Sequence, residues 1–182
     1  MTDRFSHPFC GSWTRKIPDG LRQLKHKKVL VAGIGNRLFG DDGFGPAVVG
    51  LLEGRTLPHH VEARDFGSAT VTVASELSGY DAAIFIDAVK KGCKVGTLYI
   101  TEITGIKSLT AEDVNNLARL SLHEVGLEEL LAFAKAIGSL PSKVFIIGCE
   151  PEKVEPRPEL TDKVRKAAEK TADLILRIFA ND

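Results

Sequence analysis

No run of apolar residues in this chain approaches the length of a membrane-spanning helix, so no membrane span is expected. The first 27 residues also lack the apolar centre of a secretory signal, and a cytoplasmic protein is expected. Cysteine is scarce. Cys10, Cys93 and Cys149 are odd in number and no two form a Cys-x-x-Cys pair. That argues against a disulfide framework or a zinc ribbon and favours a reducing compartment. Net charge is missing too, because 24 basic and 24 acidic residues cancel. No global field draws the chain to nucleic acid or to a membrane surface. No Gly-x-Ser-x-Gly elbow marks a serine hydrolase. Cys149, just behind the last apolar run, stays open as a nucleophile. Repeats, linkers and low-complexity tracts are absent. The 182 residues suit one domain with a proper core. The expected division is a polar N-terminal extension over 1–27, carrying Trp13 and several basic residues, and a single α/β domain over 28–182.

The residues that are present alternate between two periodicities. Nearly continuous apolar runs predict strands at Val29 to Gly33, His60 to Phe66, Ala82 to Asp87, Gly96 to Ile103 and Lys143 to Gly148. Such runs suit strands covered on both faces. Helical spacing predicts helices at Pro46 to Gly54, Ala69 to Ser78, Ala111 to Leu120, Leu122 to Ile137 and Glu159 to Phe179. Pro46 suits a first turn and Gly138 a helix stop. The alternation predicts a twisted, mostly parallel five-stranded sheet with helices on both faces, a three-layer α/β/α arrangement.

The richest stretch is Gly-Ile-Gly-Asn-Arg-Leu-Phe-Gly-Asp-Asp-Gly-Phe-Gly, residues 33 to 45. It stands where the first strand hands over to a helix, the place where open α/β sheets bind ligands. A P-loop would need Lys and Ser/Thr where Asp41 and Asp42 stand. A dinucleotide fingerprint would need a third glycine where Leu38 stands. One point favours a nucleotide: Asp65, ending the next strand, is placed to hold a ribose. The loop itself presents acid, which suits a cation or a proton-transfer step better than a phosphate.

Asp87 ends the apolar strand Ala-Ala-Ile-Phe-Ile-Asp on the same carboxyl rim, and Asp65 ends the second strand there. The bland reading of such an Asp is a helix cap or a turn former. Convergence on one rim moves Asp42 and Asp87 toward function. Ser121 and Glu124 form a capping box that puts His123 in the first turn of a helix. The helix dipole keeps an imidazole neutral there, as a metal ligand or a general base requires; an ordinary surface histidine is the alternative. One histidine with two carboxylates suits nickel, zinc or iron more than magnesium.

These segments resemble the endopeptidases that mature the large subunit of nickel–iron hydrogenases. The likeness rests on Gly33-x-Gly35-Asn36-x-Leu38-x-x-Asp41-Asp42-Gly43-x-Gly45, Asp65-x-Gly67-Ser-Ala, Phe85-Ile-Asp87-Ala88, Ser121-x-His123-x-x-Gly126-Leu127 and Ile147-Gly148-x-x-Pro151-x-x-Val-Glu155-Pro156. It covers residues 28 to 178 in the family's order. The resemblance implies removal of a short C-terminal peptide from the hydrogenase large-subunit precursor after nickel insertion. It implies Asp42, Asp87 and His123 as metal positions that read nickel carried by the precursor. Catalytic roles then fall to Asp42 and Asp65, with Asp41 as a second candidate base. Many relatives have Glu at the position of Asp42, and Arg157-Pro158 replaces a more usual glycine. The Asp41-Asp42 pair and the stretch from Gly148 to Pro156 resemble the branch serving archaeal-type enzymes. Two other functions stay open beside the peptidase: a nucleotide-binding oxidoreductase or transferase, and a non-enzymatic nickel-binding assembly chaperone.

Overall fold

The apolar run Val29–Gly33 forms strand β1, buried along its whole length. It can be so only because strands flank it and helices cover both its faces. The structure is a computed structural model that describes residues 19–68, 71–110 and 126–180. Strand β2 (Val61–Asp65) lies parallel on one side of β1, with Asp65 level with Gly33. Strand β3 (Ala82–Ala88) lies parallel on the other side, with Ile86 level with Gly33. Strand β4 (Leu98–Glu102) and strand β5 (Lys143–Cys149) complete the sheet. Its order is β2-β1-β3-β5-β4. β5 is parallel to β3, and β4 is the antiparallel edge. The connection over 89–97 is shorter than a parallel crossover needs, which is a dozen residues or more. So β4 reverses direction.

Five α-helices are described: α1 (Asp19–Arg22), α2 (Phe44–Glu53), α3 (Val71–Glu76), α4 (Leu127–Ala136) and α5 (Asp162–Phe179). Strand alternation splits the core. Val29, Val31, Ile84 and Ile86 face α2 and α5 in one cluster. Leu30, Ala32, Ala83 and Phe85 face α3 and α4 in the other. The expected three-layer, mostly parallel architecture is therefore the observed one. In α5, Val164, Ala167, Ala168, Thr171, Leu174, Ile175 and Ile178 form the buried stripe that their spacing predicts.

Several boundaries differ from the sequence reading, each for a local reason. Leu21 and Leu24, inside the supposed extension, are buried in the first cluster, so the packed domain starts before residue 28. α5 starts at Asp162 rather than Glu159 because Thr161 is held extended, with its N–H and hydroxyl both on Asp41. α4 begins at Leu127, since Gly126 before it is extended. The helix expected over Ala111 to Leu120 lies outside the described residues, as do Leu122 and the capping box at Ser121 and Glu124. Gly138 takes φ +76° and ends α4 as expected.

One contact sets how α2 lies on the sheet. A Cβ on Gly45 would fall 2.2 Å from the carbonyl oxygen of Ile86 and 2.4 Å from that of Ile34. Both obstacles are backbone, so neither can rotate away. Gly45→Ala should lose about 2–3 kcal/mol of stability, the cost of overpacking a site that cannot relax. Urea denaturation checks this, and an unchanged midpoint would contradict the close approach.

Candidate active site

The loop after β1 is held by backbone hydrogen bonds to neighbouring segments. Ile34 N–H donates to Ile86 O at 2.8 Å, and Gly35 N–H donates to Gly67 O at 2.7 Å. Gly35 has φ +127°, and a Cβ there would fall 1.9 Å from the carbonyl oxygen of Asp42. Only glycine allows the loop to fold back so closely. Leu38 N–H donates to Asn36 Oδ1 at 2.9 Å, which tightens the turn. The chain then makes a 3-10 turn over Gly40–Gly43 before α2.

The two adjacent aspartates of that turn have opposite surroundings. Asp41 is fully buried. Its Oδ2 accepts Glu152 N–H at 2.7 Å, Lys153 N–H at 2.9 Å and the Thr161 hydroxyl at 3.0 Å, while Oδ1 accepts Thr161 N–H at 2.7 Å. Those four donors leave it no room to act as a base, so its candidacy as a base is corrected to a structural role. Asp42 is half-buried at the rim, and its Oδ2 accepts Asn36 N–H at 2.7 Å.

Asp87 lies in one row across the sheet with Gly148 of β5 and Tyr99 of β4. Burial, helped by the nearby Asp42 charge, pushes its carboxyl up to about 7, against a backbone hydrogen bond at Ala88 that lowers it. The Asp42 carboxylate adds to the cost of ionising Asp87, and a cation held beside the pair would lower that cost. Oxygen donors of this kind fit a divalent metal, so the pair passes the chemical test for holding one. Asp87 also lines a cleft of about 910 Å³, with Tyr99, Thr101, Ile146 and Gly148 as its floor and Leu131 of α4 as one wall.

Asp65 does not join this pair. Asp65 is level with Ile86, one residue short of Asp87, so strand alternation sends it to the opposite face of the sheet. There it accepts Arg37 Nε at 2.8 Å and Gly67 N–H at 2.8 Å. The expected convergence of three acidic positions is thus a convergence of two. Cys149 is buried and its thiol is pushed up to about 12, by desolvation first and then by Asp41 and Glu150. A thiol held neutral is no nucleophile, and that option falls. His123 lies outside the described residues. Among the described residues, no three His, Cys, Asp or Glu side chains gather as a metal site, and no helix is long and apolar enough to cross a membrane.

One device escaped the sequence reading. Glu150 is buried and accepts Lys91 N–H and Gly92 N–H, each at 2.9 Å, and the Tyr99 hydroxyl. Burial alone would raise its carboxyl, but the bond from Tyr99 and those from the backbone of 91–93 hold it below the usual range. Lys91 Nζ also lies 4.9 Å from the centre of the Tyr99 ring. This node locks the start of β4 against the end of β5, beside Asp87. Nothing local in the sequence marks Glu150, because its partners come from more than fifty residues upstream.

Comparison with known proteins adds the family context. The family model for the hydrogenase maturation protease matches residues 46–178. A putative hydrogenase maturation protease of Methanocaldococcus jannaschii is 32% identical over 160 residues, covering 84% of this chain and 97% of that protein. The hydrogenase expression/formation protein HupD of Rhodobacter capsulatus is 33% identical over 133 residues, 72% of this chain but only 61% of that protein's length. The crystal structure of a hydrogenase 2 maturation peptidase from Thaumarchaeota archaeon SCGC_AB-539-E09 superposes with a TM-score of 0.64 at 46% identity, covering 86% of this chain and 100% of that one.

The raised Asp87 carboxyl has a stability consequence with a definite sign. In the unfolded chain it ionises near its ordinary 3.8, and in the fold near 7. Below the lower value both states are protonated and the group costs nothing. As pH rises toward 7 the folded state resists ionisation, so stability is lost. Asp87→Asn removes that loss. The variant should gain about 4 kcal/mol over the wild type between pH 4 and pH 8, at 1.36 kcal/mol per pKa unit. Urea midpoints across this range test it, and a pH-independent difference would refute the burial argument.

Proposed function

The chain belongs to the hydrogenase maturation protease family, and from that premise we propose that it is an endopeptidase that removes the C-terminal peptide of a nickel-loaded [NiFe]-hydrogenase large-subunit precursor. The observation that carries the reading is the Asp42–Asp87 pair at the carboxyl rim, with Asp87 driven toward neutrality by burial and by its neighbour. Nickel held by the precursor gains Asp42, Asp87 and His123 as additional ligands. That adds binding energy only for loaded substrate, which is how a checkpoint discriminates. It also fixes the C-terminal segment against the enzyme with the scissile amide oriented for attack. Water adds across that amide: a C–O bond forms, the C–N bond breaks, and the departing amine takes the proton. Of the two carboxylates expected in catalysis, Asp42 is the one beside the metal position, while Asp65 is engaged by Arg37 on the other face.

The competing nucleotide reading loses support in the loop. Phosphate would need free backbone N–H groups there. The Asn36 N–H goes to Asp42, that of Leu38 to Asn36, that of Gly40 to Arg157 O and that of Asp41 to Lys153 O. A nickel-binding chaperone would share the ligands but leave the precursor's length unchanged.

Intact mass after incubation tests the proposal in a four-way comparison: precursor with and without nickel, enzyme with and without chelator pretreatment. Only nickel-loaded precursor should shorten, and chelating the enzyme alone should change little. His123→Ala should slow processing by at least about a hundred-fold, the scale on which losing a substrate-orienting group acts. Normal cleavage of nickel-free precursor, or a normal rate in that variant, would sink the proposal.

A further inference from the structure

We propose that the outer edge of β4 is the docking strand for the precursor: an extended stretch of its C-terminal tail adds there as a sixth strand. This inference rests on the peptidase reading and goes beyond it by naming where and how the tail is held.

The backbone groups of β4 divide into those spent on β5 and those that face outward. Glu150 N–H donates to Thr97 O, and Ile103 N–H donates to Val144 O at 2.8 Å. In an antiparallel ladder alternate residues face the partner, so 97, 99, 101 and 103 spend their groups on β5. Leu98, Ile100 and Glu102 therefore point their N–H and C=O groups outward. Among the described residues no strand pairs with this edge. An extended peptide that joins such an edge gains main-chain bonds for affinity and alternate side-chain pockets for specificity.

The two edges of the sheet are unequal. β2 reads Val-Glu-Ala-Arg-Asp, and Arg64 bridges Glu62 and Glu76 across it. Charge of that kind guards an edge against added strands. β4 reads Leu-Tyr-Ile-Thr-Glu, and its one charge is tied to Lys143 at 2.5 Å. It has no proline. Its start is locked by the Tyr99 bond to Glu150, so the edge is rigid before any peptide arrives.

The edge is also continuous with the candidate site. Tyr99 and Thr101 of β4 floor the same cleft as Asp87, with Gly148 between as a gap in the side-chain layer. A strand added beyond β4 would lie about three strand spacings from Asp87, roughly 14 Å. Four or five extended residues span that distance at roughly 3.4 Å each. The cleft is thus a channel from the docked strand to the metal position. It holds the tail at a fixed chain distance from the nickel, so edge and metal together set the cut.

The test uses proline, which an edge strand tolerates where its N–H faces outward. Ile100→Pro deletes one outward donor. Ile100→Ala loses similar packing but keeps the donor. Expected is a rise of at least about ten-fold in KM for nickel-loaded precursor in the proline variant, larger than any rise in the alanine variant, with the loss in KM rather than in kcat. Amide exchange gives an independent measurement. Excess nickel-free precursor, which carries the same tail uncut, should slow exchange at Ile100 and Glu102 at least about ten-fold in the wild type. Equal KM in both variants with no protection at these amides would overturn edge docking. So would protection of the free enzyme that grows with its own concentration, which marks a second copy on the edge. If wild-type enzyme cuts no precursor at all, the peptidase reading itself fails instead.

Discussion

A single buried carboxylate holds the functional end of this molecule together. Asp41 gathers four donors, all from residues 152, 153 and 161, and so ties the loop after β1 to the segment between β5 and α5. Losing this acceptor would leave the N–H groups of Glu152, Lys153 and Thr161 unpaired. The backbone joins in, since Asp41 and Gly40 donate to Lys153 O and Arg157 O, and Arg157 donates back to Leu38 O. With the loop anchored from outside, the next residue is free for another task. The 3-10 turn sends Asp42 to the rim while Asp41 points inward.

The close seat of α2 on β3 is the second constraint. Gly45 allows the helix to rest on the backbone of Ile34 and Ile86, which brings Asp42 near Asp87. The cost of that approach falls on Asp87. Its unfavourable ionisation is a local instability kept at the place where a positive charge would relieve it. On the same face the Glu150 node fixes Tyr99 and the start of β4, so the cleft running from Asp87 to the edge strand has a stiff floor.

Much of the fold was legible because its signals are local. The predicted strands at Val29, Ala82 and Lys143 begin where the observed strands begin, and the α5 stripe matches its spacing. The errors fell where distant atoms override local preference. Thr161 reads as part of a helix until Asp41, 120 residues away in sequence, holds it extended. Leu21 and Leu24 sit in a polar stretch and are drawn inside by the helix-covered face of the sheet. The reversal of β4 could have been read from its short connection.

The site divides the same way. By itself the sequence determined that acid stands in a glycine loop at the carboxyl end of a buried strand, and that two other strands end in aspartate. Those facts follow from spacing along the chain. Which aspartates meet was decided only by tertiary structure. Sheet register puts Asp65 and Asp87 one residue apart, and strand alternation then sends them to opposite faces. Donors contributed by residues more than a hundred positions away decide that Asp41 is structural and leave Asp42 at the rim. Side-chain direction and hydrogen-bond satisfaction are properties of the packed neighbourhood, and a linear pattern carries no record of either.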